Sequence, residues 1–125
     1  MFNNAGISVL LDFHAAPGAQ FANNAYAGCC VSTPSFWTQS NFKRLASAVG
    51  QLTTIIHNES ANFGSVYGIE ALNEPPTDGN ATPGYASFLD QFVSAVHSAE
   101  SALGVPSSKI LSTVFMDNSW YALRA

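Results

Sequence analysis

Val66-Tyr67-Gly68-Ile69-Glu70-Ala71-Leu72 runs directly into Asn73-Glu74-Pro75-Pro76. The first seven positions lack the strict alternation of a half-solvated strand. They read as a short strand covered on both faces, the pattern of a parallel sheet. The two prolines then end it, because proline cannot donate to a ladder. Upstream, Ile7-Ser8-Val9-Leu10-Leu11-Asp12-Phe13 is a second run of the same kind. Downstream, Ile110 to Phe115 makes a third, trailing into Asp117, Asn118 and Trp120.

Helical patterns separate the three. Phe42, Leu45, Val49, Leu52, Ile55 and Ile56 recur at helical spacing and form one apolar stripe. Thr33-Pro34 and Ser40 are both plausible starts for that helix. The pattern stops near Asn58, and Asn62 and Gly64 break it. A second stripe runs through Tyr85, Phe88, Leu89, Phe92, Val93, Val96, Ala99 and Leu103. Thr82-Pro83 predicts its N-cap and first turn, and Gly104 its end, with Pro106 just beyond. The order is βαβαβ, which predicts an α/β fold with a parallel sheet and right-handed crossovers. The stretch from His14 to about Thr33 is rich in Pro, Gly, Ala and Asn and predicts a long loop, a usual place for function.

In parallel α/β architectures, sites form at the carboxyl ends of the strands. Those ends read Asp12-Phe13-His14, Asn73-Glu74-Pro75 and Asp117-Asn118, so hydrogen-bonding groups stand wherever this geometry would put a site. Side-chain alternation places Glu70, Leu72 and Glu74 on one face, and Asp12 with His14 on one face. Glu74 ends a buried strand, is followed by Pro75 and has the amide of Asn73 beside it. A general acid must hold its proton near neutral pH, and partial burial at a strand end supplies the raised pKa this needs. Glycosidic cleavage uses two carboxyl groups, one protonating the leaving oxygen and one acting as nucleophile or base. Asn73 and His14 are suited to binding sugar hydroxyls. A lone histidine at a strand end is also commonly a satisfied structural residue. For Glu70 and Asp12 a structural carboxylate network is the favoured reading. Phe21, Tyr26, Phe36, Trp37, Trp120 and Tyr121 lie in or near loops, where they either stack on sugar rings or pack.

Composition narrows the field. Hydrophobic residues make up 47% and charged residues 10%, a globular rather than a disordered balance. Four basic residues and a net charge of −4 argue against nucleic acid or an anionic membrane as partner. No apolar run reaches the length of a membrane span. No cluster has metal-ligand spacing, so no metal is expected. No phosphate-cradling glycine loop follows a strand, so nucleotide binding is not expected, and no cofactor is expected; no nucleophile elbow is present either. Asn58-Glu59-Ser60 and Asn80-Ala81-Thr82 are N-glycosylation sequons. The first residues have no leader character, so either the protein is cytosolic or its start lies upstream; the sequons favour the second and a secreted protein. Cys29 and Cys30 are adjacent, and bonding between neighbours is strained. They are either free thiols or paired with partners outside this sequence.

The segment Val9-Leu10-Leu11-Asp12-Phe13-His14-Ala15-Ala16-Pro17-Gly18-Ala19-Gln20 resembles the third-strand region of glycoside hydrolase family 5, with its nearest likeness in the fungal exo-β-1,3-glucanase type. Tyr67 to Pro75 resembles the same family's fourth strand and acid/base corner, and Phe63-Gly64-Ser65-Val66 through Thr82-Pro83-Gly84-Tyr85 resembles secreted fungal members. The resemblance implies a (β/α)8 barrel and retaining hydrolysis of a β-glucan by a monomeric enzyme. It implies acid/base chemistry at Glu74 and substrate contacts at Asn73 and His14, with Asp117 a weaker further candidate. Ala15 stands where that pattern often has glycine, which would alter the loop. The family's nucleophile lies on the seventh strand and an active-site arginine on the first two; neither has a counterpart here. A complete barrel takes about 250 residues, so residues 1–125 are expected to be one partial catalytic domain, truncated at both ends and inactive alone. The competing expectations are a noncatalytic carbohydrate-binding remnant and a free-standing small α/β domain that binds a ligand.

Overall fold

The computed structural model describes residues 5–28, 31–76 and 78–115. Its elements follow the βαβαβ order. They are β1 (Val9–Asp12), α1 (Gln39–Asn58), the single turn α2 (Ser60–Phe63), β2 (Val66–Glu70), α3 (Tyr85–Leu103) and β3 (Ser112–Val114). Two 3-10 turns add to these, Ala25–Ala27 in the first loop and Ser107–Lys109 before β3. The strands form one sheet in the order β1-β2-β3, and both pairs are parallel. The fold is therefore α/β with a parallel sheet, as the alternation of patterns predicts.

One face of the sheet carries the core. Phe42, Leu45, Val49 and Ile56 of α1 and Phe88, Phe92 and Val96 of α3 join Ile69, Leu72 and Leu111 in a single buried cluster. Phe36, from the long first loop, sits fully buried at its centre, edge-on to Phe88 at 5.1 Å and to Phe42 at 5.3 Å. Gly68 pairs with Ser112 across β2 and β3. A Cβ there would lie 2.7 Å from the Ser112 carbonyl oxygen, so only glycine fits this rung.

The ends of the elements differ from the sequence expectation for identifiable reasons. Helix α1 starts neither at Thr33 nor at Ser40. Thr38 is its N-cap, because the Thr38 hydroxyl accepts the Asn41 N–H at 3.3 Å. Helix α3 does not start at Thr82-Pro83. Gly84, in the left-handed region, caps it, while the Thr82 hydroxyl donates to the Asp78 carbonyl at 3.2 Å inside the preceding turn. Its far end is as expected. Gly104 turns left-handed, and Gly104 N and Val105 N bond back to the carbonyls of Ser101 and Glu100.

The stripes also shift. On α1, Thr53 is buried and Ile55 is largely exposed; the Thr53 hydroxyl is satisfied by the Val49 carbonyl at 2.9 Å. On α3 the stripe ends on Glu100 rather than on Leu103. Glu100 is 3% exposed and accepts from the Leu111 N–H at 2.7 Å, with His57 of α1 at 3.2 Å. Strand β2 stops at Glu70, so the alternation expected to run on to Leu72 breaks and Leu72 enters the core with Ile69 and Ala71. No helix among the described residues is long and apolar enough to cross a membrane.

Candidate active site

The carboxyl ends of β1 and β2 are stitched together by backbone bonds. Phe13 N donates to the Glu70 carbonyl at 3.4 Å, and Asn73 N donates to the Phe13 carbonyl at 3.0 Å. Two strand ends held this way bring His14 beside Asn73 and Glu74. Around them opens a cavity of about 300 Å³, lined by His14, Gln20, Phe21, Asn24, Tyr26 and Ala27 from the first loop, and by Asn73 and Glu74 from the second. His14, Asn73 and Glu74, singled out on their sequence alone, thus share one cavity.

Glu74 has a backbone that the sequence reading did not anticipate. Its φ is +40°, in the left-handed region, and it is not glycine. A residue before proline disfavours helical conformations, so this position stores strain of about 1–3 kcal/mol. Pro75 is buried, which holds the corner in place. Strain of this kind gathers where a side chain must be aimed rather than merely accommodated.

Gln20 is the residue that sequence reasoning passed over. It is 2% exposed and makes a three-way staple. Its Nε2 donates to the carbonyls of His14 at 3.0 Å and Asn73 at 3.4 Å, and its Oε1 accepts from Ala16 N at 3.1 Å. Trp37 Nε1 donates to the Gln20 carbonyl at 3.2 Å and ties the staple to the aromatic core. The signal available in the sequence was a glutamine within an otherwise small-residue loop, which says nothing about its partners until both strand ends are placed.

The face opposite the core carries the remaining carboxyl groups. Asp12 and Glu70 are partners in the parallel register. Asp12 Oδ2 lies 2.5 Å from Nδ1 of His14, confirming that Asp12 and His14 share a face. Glu70 is 4% exposed, and its Oε1 has no hydrogen-bond partner among the described residues. Burial raises the Glu70 pKa above the ordinary carboxyl value, and the neighbouring Asp12 and Glu74 add to this, while His14 opposes it.

Of the loop aromatics, Phe36 and Trp37 pack: Phe36 is wholly buried, and Trp37 lies edge-on to Phe36 at 5.0 Å. Tyr26 is 72% exposed, with its ring edge-on to His14 at 6.0 Å. Asn24 accepts the Tyr26 N–H at 2.8 Å and fixes the turn that carries it. Both sequon asparagines, Asn58 and Asn80, are exposed, whereas Thr82 of the second sequon is buried. Among the described residues no group of His, Cys, Asp or Glu is arranged to hold a metal. Cys29, Cys30, Asp117, Asn118, Trp120 and Tyr121 lie outside the described residues.

Comparison with known proteins gives relatives of one kind. The chain is 32% identical over 123 residues to the probable glucan endo-1,6-beta-glucosidase B of Aspergillus flavus, an alignment spanning 96% of this chain and 31% of that protein. To the glucan endo-1,6-beta-glucosidase B of Emericella nidulans it is 28% identical over 119 residues, 94% of this chain and 29% of that protein. To the probable glucan 1,3-beta-glucosidase A of Aspergillus clavatus it is 31% identical over 104 residues, 81% of this chain and 23% of that protein. No family model and no solved structure matches. The chain spans about 30% of the length of the glucan endo-1,6-beta-glucosidases it matches, and those relatives are glucan glucosidases by name.

Proposed function

We propose that this chain is the acid/base portion of a β-glucan hydrolase, a (β/α)8 barrel of the family 5 type that works by a retaining two-carboxylate mechanism. The observation that carries the reading is Glu74, aimed by a strained corner into a cavity it shares with Asn73 and His14. Glu74 protonates the glycosidic oxygen as the bond breaks, then deprotonates the water that releases the sugar. Asn73 and His14 bind hydroxyls beside the reacting carbon. Among the described residues, Asp12 is engaged by His14 and Glu70 is buried, so neither supplies the nucleophile, which on this reading comes from the rest of the barrel.

The relatives favour a β-1,6-linked glucan over the exo-β-1,3 type suggested by the sequence motifs, because the 1,6-named proteins align over more of the chain. The enzyme is secreted and monomeric on this reading, and the exposed Asn58 accepts a glycan. The deciding experiment places Glu74→Ala in a full-length polypeptide carrying this segment. Hydrolysis of β-1,6-glucan should fall by about 10²–10⁴-fold, the worth of a general acid. An activated aryl β-glucoside, whose leaving group needs no proton, should be spared in the glycosylation step. Equal loss on both substrates would overturn the assignment. A noncatalytic binding remnant would instead bind oligosaccharide with the nucleophile absent from the full-length sequence.

A further inference from the structure

Asp12 ends β1, and His14 stands two residues on, just past the strand, with its ring against the Asp12 carboxyl group. Asp12 Oδ2 and His14 Nδ1 are 2.5 Å apart. An ionised carboxylate only accepts, so the hydrogen between them belongs to Nδ1. A neutral imidazole carries one N–H, which leaves Nε2 as a lone-pair acceptor. We propose that Asp12 is a positioning residue: it holds the Nδ1–H of His14 and so keeps Nε2 as the acceptor for a ligand hydroxyl in the cavity. The hydroxyl is a sugar's on the glucan reading, and only the identity of the ligand rests on that reading.

Three other groups face this pair. Glu70 is the register partner of Asp12, Glu74 lies across the strand ends, and Tyr26 stands edge-on to the imidazole. Two carboxyl groups side by side do not both ionise at low cost. Glu70, the deeper one, has an oxygen without a partner, so an ionised Glu70 would be a buried unpaired charge. Burial and the neighbouring Asp12 push its pKa up, so of the two carboxyl groups Glu70 holds its proton more readily. Asp12 is the more exposed of the two and has His14 as its partner, so it is the carboxylate placed to accept the Nδ1–H. His14 itself is half exposed at the cavity wall, so ordering its ring serves the cavity.

The test is the imidazole ¹⁵N–¹H spectrum of the 125-residue chain above neutral pH. The expected result is a protonated Nδ1 and an unprotonated Nε2 for His14. Asp12→Asn should give mixed tautomers and Asp12→Leu the Nε2–H form, each with a dispersed amide spectrum as the control for folding. A wild-type His14 in the Nε2–H form overturns the proposal without any variant, and so does a tautomer unchanged by either substitution. Titration with a β-1,6-linked gluco-oligosaccharide forms the second arm. Asp12→Asn should weaken binding about tenfold, the value of one hydrogen bond. The expected tautomer with no oligosaccharide binding would uphold the role of Asp12 and count against the glucan reading.

Discussion

At Glu74 two demands meet in one residue: a carboxyl group at the cavity and a backbone that glycine would adopt more easily. Substitution can separate them. Glu74→Gly should be more stable than Glu74→Ala by about 1 kcal/mol, since only the alanine keeps the left-handed strain, and urea denaturation of the two would measure it. Equal stabilities would mean the corner is relaxed. Glu70 gives a pH-dependent expectation. Its native pKa is raised above the ordinary 4.5, so the native state holds a proton that the unfolded state releases. Its contribution to stability is therefore fully present below about 4.5 and is lost as pH rises through the native pKa. Glu70→Gln removes a group that must ionise on unfolding. The melting temperature of this variant relative to wild type should rise between pH 4 and pH 7, and a constant difference would contradict the sign. Alternation along the strand made the carboxyl groups on this face visible in the sequence. Neither the orphaned oxygen of Glu70 nor the strain at Glu74 was visible, because the first depends on the packing around a buried side chain and the second on a backbone angle that the residue type does not announce.

The elements themselves were largely legible, since apolar periodicity separates helix from strand without knowledge of partners. Their ends were not. Thr33, Thr38 and Ser40 are all chemically able to cap α1, and only the path of the loop through Phe36 decides for Thr38. Thr38→Ala should cost about 1 kcal/mol by urea denaturation, whereas Thr33→Ala should cost nothing measurable. At the other end of the sheet, Glu100 was masked by its type. A glutamate on an apolar stripe reads as solvent-facing, yet its carboxylate caps the Leu111 N–H and meets His57, joining α1, α3 and the approach to β3. Glu100→Ala leaves the buried Leu111 N–H unpaired, and a loss of about 1–3 kcal/mol is expected. A melting temperature unchanged by that substitution would show that the joint carries no strain of assembly.

On the scale of the molecule, the aromatic centre and the cavity are one construction. Phe36 enters the core, Trp37 bonds to the Gln20 carbonyl, and Gln20 holds the backbone at His14 and Asn73. Phe88→Ala, at the centre of the rings, should cost about 3–5 kcal/mol. The purified 125-residue chain should show no turnover of β-1,6-glucan or laminarin, because the proposed mechanism needs a second carboxylate that the described residues do not bring to Glu74. Clear turnover would refute the two-carboxylate assignment. Half of the site, the strand-end residues, could be read from the chain. The other half, the staple and the turn that carries Tyr26, arises from contacts between segments far apart in sequence. The Gln20 side chain meets only main-chain groups of its partners, which has a practical consequence for remodelling. Exchanging the turn at Asn24 to Tyr26 should leave that staple in register, whereas Ala27 is buried and Asn23 is tied to Val31. Transplanting that turn would be the economical route to a changed ligand preference.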